Sequence, residues 1–174
     1  DTDIIIQPNN VEYSQNTSAG MDIAVGRMSA HSLSEAKLMV DKTLAYYEKL
    51  PGQGTSMGDW KTKFHLIVDD DNPGEGQAFH TNIENNAAQF IENNISYATL
   101  RKLYMDAFPA VGTSSGQRYP QVNQAIANAF DLGSAMIMYF GHGGPRSWSQ
   151  ERVITYEEIS NFTNFTGLYS RLPV

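Results

Sequence analysis

The stretch Ala135-Met136-Ile137-Met138-Tyr139-Phe140-Gly141-His142-Gly143-Gly144-Pro145 decides how this chain is read. A run of uncharged, mostly apolar residues predicts a strand, and the glycines and proline behind it predict a tight loop. His142 therefore stands at the carboxyl end of a strand, between glycines that let the backbone approach a ligand. A histidine so placed can act as general base or acid, and the Gly143 amide can help stabilise an oxyanion. A plain tight turn carrying a surface histidine shows the same pattern, so the rest of the chain has to separate the two.

Upstream, Phe64-His65-Leu66-Ile67-Val68 is a second short, nearly continuous apolar run, and it breaks into Asp69-Asp70-Asp71-Asn72-Pro73-Gly74. Such a run suits a strand covered on both faces, as in a parallel sheet. Between and around these two strands lie helical stripes. Ser32-Leu33-Ser34-Glu35 is a capping-box pattern ahead of Ala36, Met39, Val40, Leu44 and Tyr47, and Pro51-Gly52 stops that helix. Ile83, Ala87, Phe90 and Ile91 form the next stripe, and Arg101–Met105 reads as a strand. Pro120 opens a helix with Val122, Ile126, Ala129 and Phe130 on one face. Thr155-Tyr156-Glu157-Glu158 is a second capping box, and Met21–Gly26 is a further short strand. The alternation β-α-β-α-β-α-β-α predicts an α/β domain with a mainly parallel sheet flanked by helices. In such sheets the reactive loops follow the carboxyl ends of strands, which selects Asp69–Gly76 and Gly141–Pro145.

Composition narrows the function. The chain has 174 residues, 12 Lys+Arg against 19 Asp+Glu, a net charge of −7 and no cysteine. The acidic balance and the lack of a Lys/Arg run argue against nucleic-acid binding. No apolar stretch approaches the ~18 residues of a membrane span, and the acidic, polar opening does not read as a signal peptide. Zero cysteine excludes a disulfide framework, a thiolate zinc site and, within this sequence, a cysteine nucleophile. No Gly-x-Ser-x-Gly elbow singles out a serine, and the Gly52/Gly54/Gly58 stretch lacks the lysine and strand of a phosphate loop.

Around the acidic loop the options are several. One of its carboxylates can orient the His142 imidazole and stabilise its cation, as the third member of a triad does. The loop can instead bind calcium, but EF-hand spacing fails, with Pro73 at the fifth position and His80 at the twelfth. It can also be a solvated turn capping the next helix. His65 and His80 flank the loop without the spacing of a helical zinc site. Trp148 reads either as the wall of a substrate pocket or as core.

Several of these segments together resemble the gingipain-like (C25) cysteine peptidases. The carriers are Asp22-Ile23-Ala24-Val25-Gly26-Arg27-Met28 with Ser34-Glu35-Ala36 and Val40-Asp41-Lys42; Trp60-Lys61 through Val68-Asp69-Asp70; and Tyr139-Phe140-Gly141-His142-Gly143-Gly144 with Trp148 and Glu151-Arg152-Val153. The resemblance implies a caspase-like α/β fold, with His142 as catalytic base and acid and Gly143 as an oxyanion donor. It puts Asp70 at the place of the histidine-orienting carboxylate, with Asp69 as the alternative. Where arginine-specific members carry a specificity aspartate this chain has Gln77, so arginine preference is not implied; Trp148 and Gln77 are the substrate-binding candidates. Leu172-Pro173-Val174 is similar to the start of the family strand whose cysteine follows a few residues on. The chain then reads as residues 1–20, a connector or partial strand, followed by residues 21–174, a catalytic domain cut before its nucleophile and inactive as it stands.

The Gly143-Gly144 pair and the Trp148…Gln150-Glu151-Arg152-Val153 continuation look most like the branch that removes C-terminal secretion signals in type IX secretion. That branch implies a location on the outer face of the outer membrane. Its implied partners are cargo with C-terminal secretion domains, other type IX outer-membrane components and a lipopolysaccharide acceptor. Catalysis needs no cofactor on this reading; structural calcium is compatible with the family, with no ligands assigned. The alternative is a non-catalytic α/β module that binds peptide or calcium.

Overall fold

A computed structural model describes residues 28–46, 58–71 and 79–164. The expected strand at Met21–Gly26, the Gln77 position and the Leu172–Val174 segment lie outside the described residues. The chain divides into two compact units, Asp1–Asp41 and Lys42–Val174. The first described helix, α1 (Leu33–Tyr46), begins as its capping pattern predicts: Ser32 Oγ accepts from the Glu35 N–H at 3.2 Å. The Glu35 carboxylate reaches back to the His31 N–H at 2.7 Å, one residue earlier than a standard box. Ala36, Met39 and Leu44 are half-covered, while Val40, expected in the same stripe, is exposed.

The second unit is built on a three-stranded parallel sheet in the order β2-β1-β5, with β1 at Lys63–Val68, β2 at Thr99–Tyr104 and β5 at Met136–Phe140. Central β1 is covered on both faces, which is why its apolar run barely alternates. Phe64, Leu66 and Val68 pack with Ile83, Ala88 and Ile91 of helix α2 (residues 79–94) on one face. Ile67 packs with Met105, Val122, Ile126, Val153 and Ile154 on the other, under helix α3 (Pro120–Asp131). Leu66, Ile67 and Ile126 are fully buried, so truncating any one to alanine costs about 2–5 kcal/mol.

Helix α2 departs from the expected stripe. It runs as α-helical Phe79–Ile83, a π-helical turn Glu84–Ala88 and α-helical Gln89–Asn94. The wider turn shifts the helical register, so the buried line becomes Ile83, Ala88, Ile91, and Phe90 turns outward at 62% exposure. Helix α3 keeps its predicted face: Val122, Ile126 and Ala129 are buried, and Phe130 stacks on Phe162 at 4.6 Å.

Two small antiparallel pieces were not in the alternating pattern. A hairpin, β3 (Val111–Thr113) and β4 (Gly116–Arg118), leads into α3. After β5, β6 (Gly143–Gly144), β7 (Ser147–Trp148) and β8 (Ile154–Thr155) form a second sheet in that order. The short helix α4 (Tyr156–Ile159) then starts on a full capping box, Thr155 Oγ to the Glu158 N–H and Glu158 Oε2 to the Thr155 N–H.

In the main sheet, α2 links β1 to β2 on one face, and the next crossover returns over the other face to β5 on the far side of β1. The strand order therefore reverses between β1 and β5, and the crevice outside their carboxyl ends is where open α/β sheets bind ligands.

Candidate active site

Strands β1 and β5 end in step. Val68 is paired with Phe140, and the Asp69 N–H extends the ladder by one bond, donating to the Phe140 carbonyl at 3.1 Å. This register sets Asp69 against Gly141 and His142, 73 residues away in sequence. Contact is closest at Gly141: a Cβ there would lie 2.3 Å from Asp69 Cβ and 2.7 Å from the Tyr139 hydroxyl, so only glycine fits.

The Asp69 carboxylate is 1% exposed and is held by three N–H groups. Its Oδ2 accepts from the His142 backbone N–H at 2.8 Å and from the His142 ring Nδ1 at 2.9 Å, and its Oδ1 accepts from the Asp70 N–H at 3.1 Å. Three donors compensate the burial of a carboxylate. They also fix the ring: Nδ1 carries the proton donated to Asp69, leaving Nε2 as the basic nitrogen. Tyr139 donates its hydroxyl to the His142 carbonyl at 2.5 Å, and burial beside Asp69 pushes its phenol pKa up, so it stays a donor. Phe79, from the first turn of α2, meets the His142 ring edge-on at 5.2 Å and the Phe140 ring at 5.4 Å. Nothing in the sequence marked Phe79; only the tertiary fold brings it to the ring.

The carboxylate that meets the His142 ring is Asp69, and Asp70, the first of the two expected there, does not. Asp70 follows Asp69 and turns away from the ring, so that Oδ2 accepts from the Tyr119 hydroxyl at 3.2 Å. Burial first, and the nearby Glu151 charge second, push Asp70 up to about 6. Burial and Asp70 in turn push the Tyr119 phenol up to about 12. The third acid, Asp71, takes the capping role: its Oδ1 accepts from the Phe79 N–H at 3.1 Å as α2 begins.

Gly143 is under no such steric demand. A Cβ on it would meet nothing within 4 Å, so packing does not demand it. Gly143 faces Trp148 across the β6–β7 ladder, and the Ser149 N–H bonds the His142 carbonyl at 2.9 Å just outside that pair. A pair flanked in this way is the non-hydrogen-bonded kind, so the Gly143 N–H points off the outer edge of β6. Trp148 lies flat on the Tyr139 ring at 4.6 Å and packs against the core under α3. It is a support beneath the histidine loop.

The turn after Trp148 brings in a residue that the sequence had marked only as part of a motif. Ser149 and Arg152 adopt φ of 56° and 55°, and the Glu151 N–H donates to Ser149 Oγ at 3.1 Å. Asn123 of α3 clamps the turn through the Arg152 and Val153 carbonyls, at 3.1 and 2.7 Å. Glu151 is thereby held 8% exposed beside Asp69 and Asp70.

A second acidic grouping lies nearby, where His80 Nδ1 faces Asp71 at 3.4 Å and Asp106 at 3.3 Å and the ring stacks on Tyr104. His65 takes no part in either. Ser134 donates to the Ala129 carbonyl, so the His65 Nδ1–H donates to Ser134 Oγ at 2.8 Å. Burial, with Arg101 and Lys63 close by, holds its pKa down at about 4.

Against known families, the profile of peptidase family C25 matches residues 6–174. The chain belongs to peptidase family C25. No curated protein and no solved structure matches it. C25 is a family of gingipain-like cysteine peptidases, which makes peptidase chemistry the setting for the Asp69–His142 pair. The helix-flanked parallel sheet of this C25 chain agrees with the caspase/gingipain-like fold.

Proposed function

We propose that the protein to which this C25 chain belongs is a cell-surface cysteine endopeptidase and transpeptidase of the PorU type. It would remove C-terminal secretion signals from type IX cargo and pass the cargo to an acceptor. The observation that carries the peptidase part is the Asp69–His142 pair at the β1/β5 crevice, with one buried carboxylate oxygen accepting both from the ring and from the backbone of the same histidine. The PorU assignment is supported by the Gly143-Gly144 pair and the Trp148…Gln150-Glu151-Arg152-Val153 continuation.

On this reading the nucleophile is a cysteine outside the present sequence, which contains none. Nε2 of His142 takes the thiol proton, the thiolate adds to the scissile carbonyl carbon, and the oxyanion is met by the Gly143 N–H. The C–N bond then breaks as His142 returns the proton to the departing amine. Water, or an amine on a lipopolysaccharide acceptor, attacks the thioester and releases the cysteine. Asp69 keeps the imidazole in the required tautomer throughout. Lacking the thiol, the 174-residue chain would be inert by itself.

The test is His142→Ala in the full-length protein, expressed in its secreting host, with cargo C-terminal domains followed by immunoblot. Cargo that retains its signal is the expected result. Normal removal of the signal would overturn the assignment.

A further inference from the structure

We propose that Lys63, His65 and Arg101 form a binding site for a small tetrahedral oxyanion of the phosphate class, at the end of the sheet away from the histidine loop. Lys63 opens β1 and Arg101 is the third residue of β2, whereas His142 follows the carboxyl end of β5. Alternate residues of a strand share a face, so Lys63 and His65 lie on the α3 side of the sheet with Ile67. The parallel register sets Arg101 directly beside His65, on strands about 4.8 Å apart. These three side chains line a cleft of about 280 Å³ against the last turns of α3, and among the described residues no acid lines it.

That concentration of positive charge stands out in a chain whose net charge is −7. Lys63 is paired with Asp59 at 2.9 Å, but Arg101 has no ion pair and no side-chain hydrogen bond among the described residues. Its guanidinium keeps a free fork of donors, which matches two oxygens of a phosphate-class anion. His65 commits its Nδ1 proton to Ser134, so Nε2 is the ring nitrogen left for a ligand. A neutral ring offers an anion only a lone pair there; a protonated ring offers an N–H. Anion binding and proton uptake by His65 therefore favour each other. Burial, then Arg101 and Lys63, hold the proton off the ring in the empty cleft, and an anion would offset their charge. No other ionisable group faces it among the described residues: α3 presents Ala125, Asn128 and Ala129, and β5 presents Ile137. The negative end of α3 is also muted. The Asn128 and Phe130 carbonyls accept from the Leu132 and Gly133 N–H groups, and the Ala129 carbonyl accepts from Ser134 Oγ.

Sulfate is the first probe, because its charge stays constant over the pH range needed. It is titrated into the chain with ionic strength held level by chloride, and followed by calorimetry and by NMR of the histidine rings. A single-site isotherm is expected, with the His65 ring signals moving to saturation. The His65 titration midpoint, about 4 in the empty cleft, should rise by about one unit. Inorganic phosphate should displace the sulfate. Arg101→Gln should weaken sulfate binding by about tenfold or more. Lys102→Gln is the control: Lys102 is the next residue, on the opposite face and paired with Glu84 and Glu92, and its loss should change affinity by less than about twofold. Arg101 is exposed, so its variant should keep the unfolding midpoint of the parent chain without sulfate. The proposal is overturned if chloride alone moves the His65 signals equally, or if phosphate fails to displace sulfate. It also falls if Arg101→Gln and Lys102→Gln weaken binding alike, or if sulfate binds while the His65 midpoint stays put. These readouts need neither a cysteine nor a substrate, so their failure is distinct from failure of the peptidase reading.

Discussion

Two imidazole–carboxylate groupings lie outside the carboxyl ends of the strands, and they are built in opposite ways. Among the described residues His142 meets Asp69 at 2.9 Å, Asp69 is fully buried, and the same oxygen also takes the histidine's own backbone N–H. His80 stands between two acids at 3.4 and 3.3 Å, and both of them reach solvent. The first arrangement fixes a tautomer and a ring direction. The second is a screened charge cluster of the kind worth about 0–1 kcal/mol. What marks out a site is therefore the burial of the acceptor and the double anchoring of the donor, more than the presence of the residue types.

The largest way to break this contrast is at the acid. Asp69→Asn in the full-length enzyme should lower turnover by about 10³–10⁴-fold, because an amide stabilises the wrong tautomer. Asp106→Asn beside His80 should change turnover within a small factor, as measured by cargo-processing rate. Equal losses at the two positions would erase the distinction.

Next comes the glycine loop. Gly141→Ala drives a methyl group into Asp69 and should cost about 3 kcal/mol in chemical denaturation. Gly143→Ala has open space around it and should stay within about 0.5 kcal/mol. The two glycines then separate a position that only glycine fits from one that tolerates a side chain.

The smallest effect comes from a third imidazole, which pairs with no acid among the described residues. His65 has its pKa held down at about 4, against an ordinary 6.5, so the folded state binds fewer protons than the unfolded one. Its contribution is complete above pH 6.5 and is lost as pH falls from there through about 4. Allowing for solvent screening of a half-exposed ring, the loss is on the order of 1 kcal/mol. His65→Gln should flatten that part of the stability–pH curve, and an unchanged slope would refute the assignment.

Much of the architecture could be read from the chain alone. Two charge-free or nearly charge-free strands, a Pro-initiated helix and a Thr-x-x-Glu box each carry a local physical signature, and all four stand where expected. The histidine loop was legible for the same reason. Which aspartate meets it was not: successive residues leaving a strand point to opposite sides, and the register between β1 and β5 settles the matter. The π turn in α2 inserts its extra residue without a proline or glycine to announce it. Strands of two residues, as in β6, β7 and β8, are too short for any periodicity, so Glu151 reaches the acidic cluster through a fold that no pattern encodes.

One consequence follows from the stacked pair beneath the loop. The chain has two tryptophans: Trp60 is buried at the entry to β1, and Trp148 lies on Tyr139, whose hydroxyl holds the His142 carbonyl. Emission from Trp148 is therefore an intrinsic optical readout of the histidine loop. With Trp60 replaced by phenylalanine, one fluorophore would report substrate arrival there without any added label.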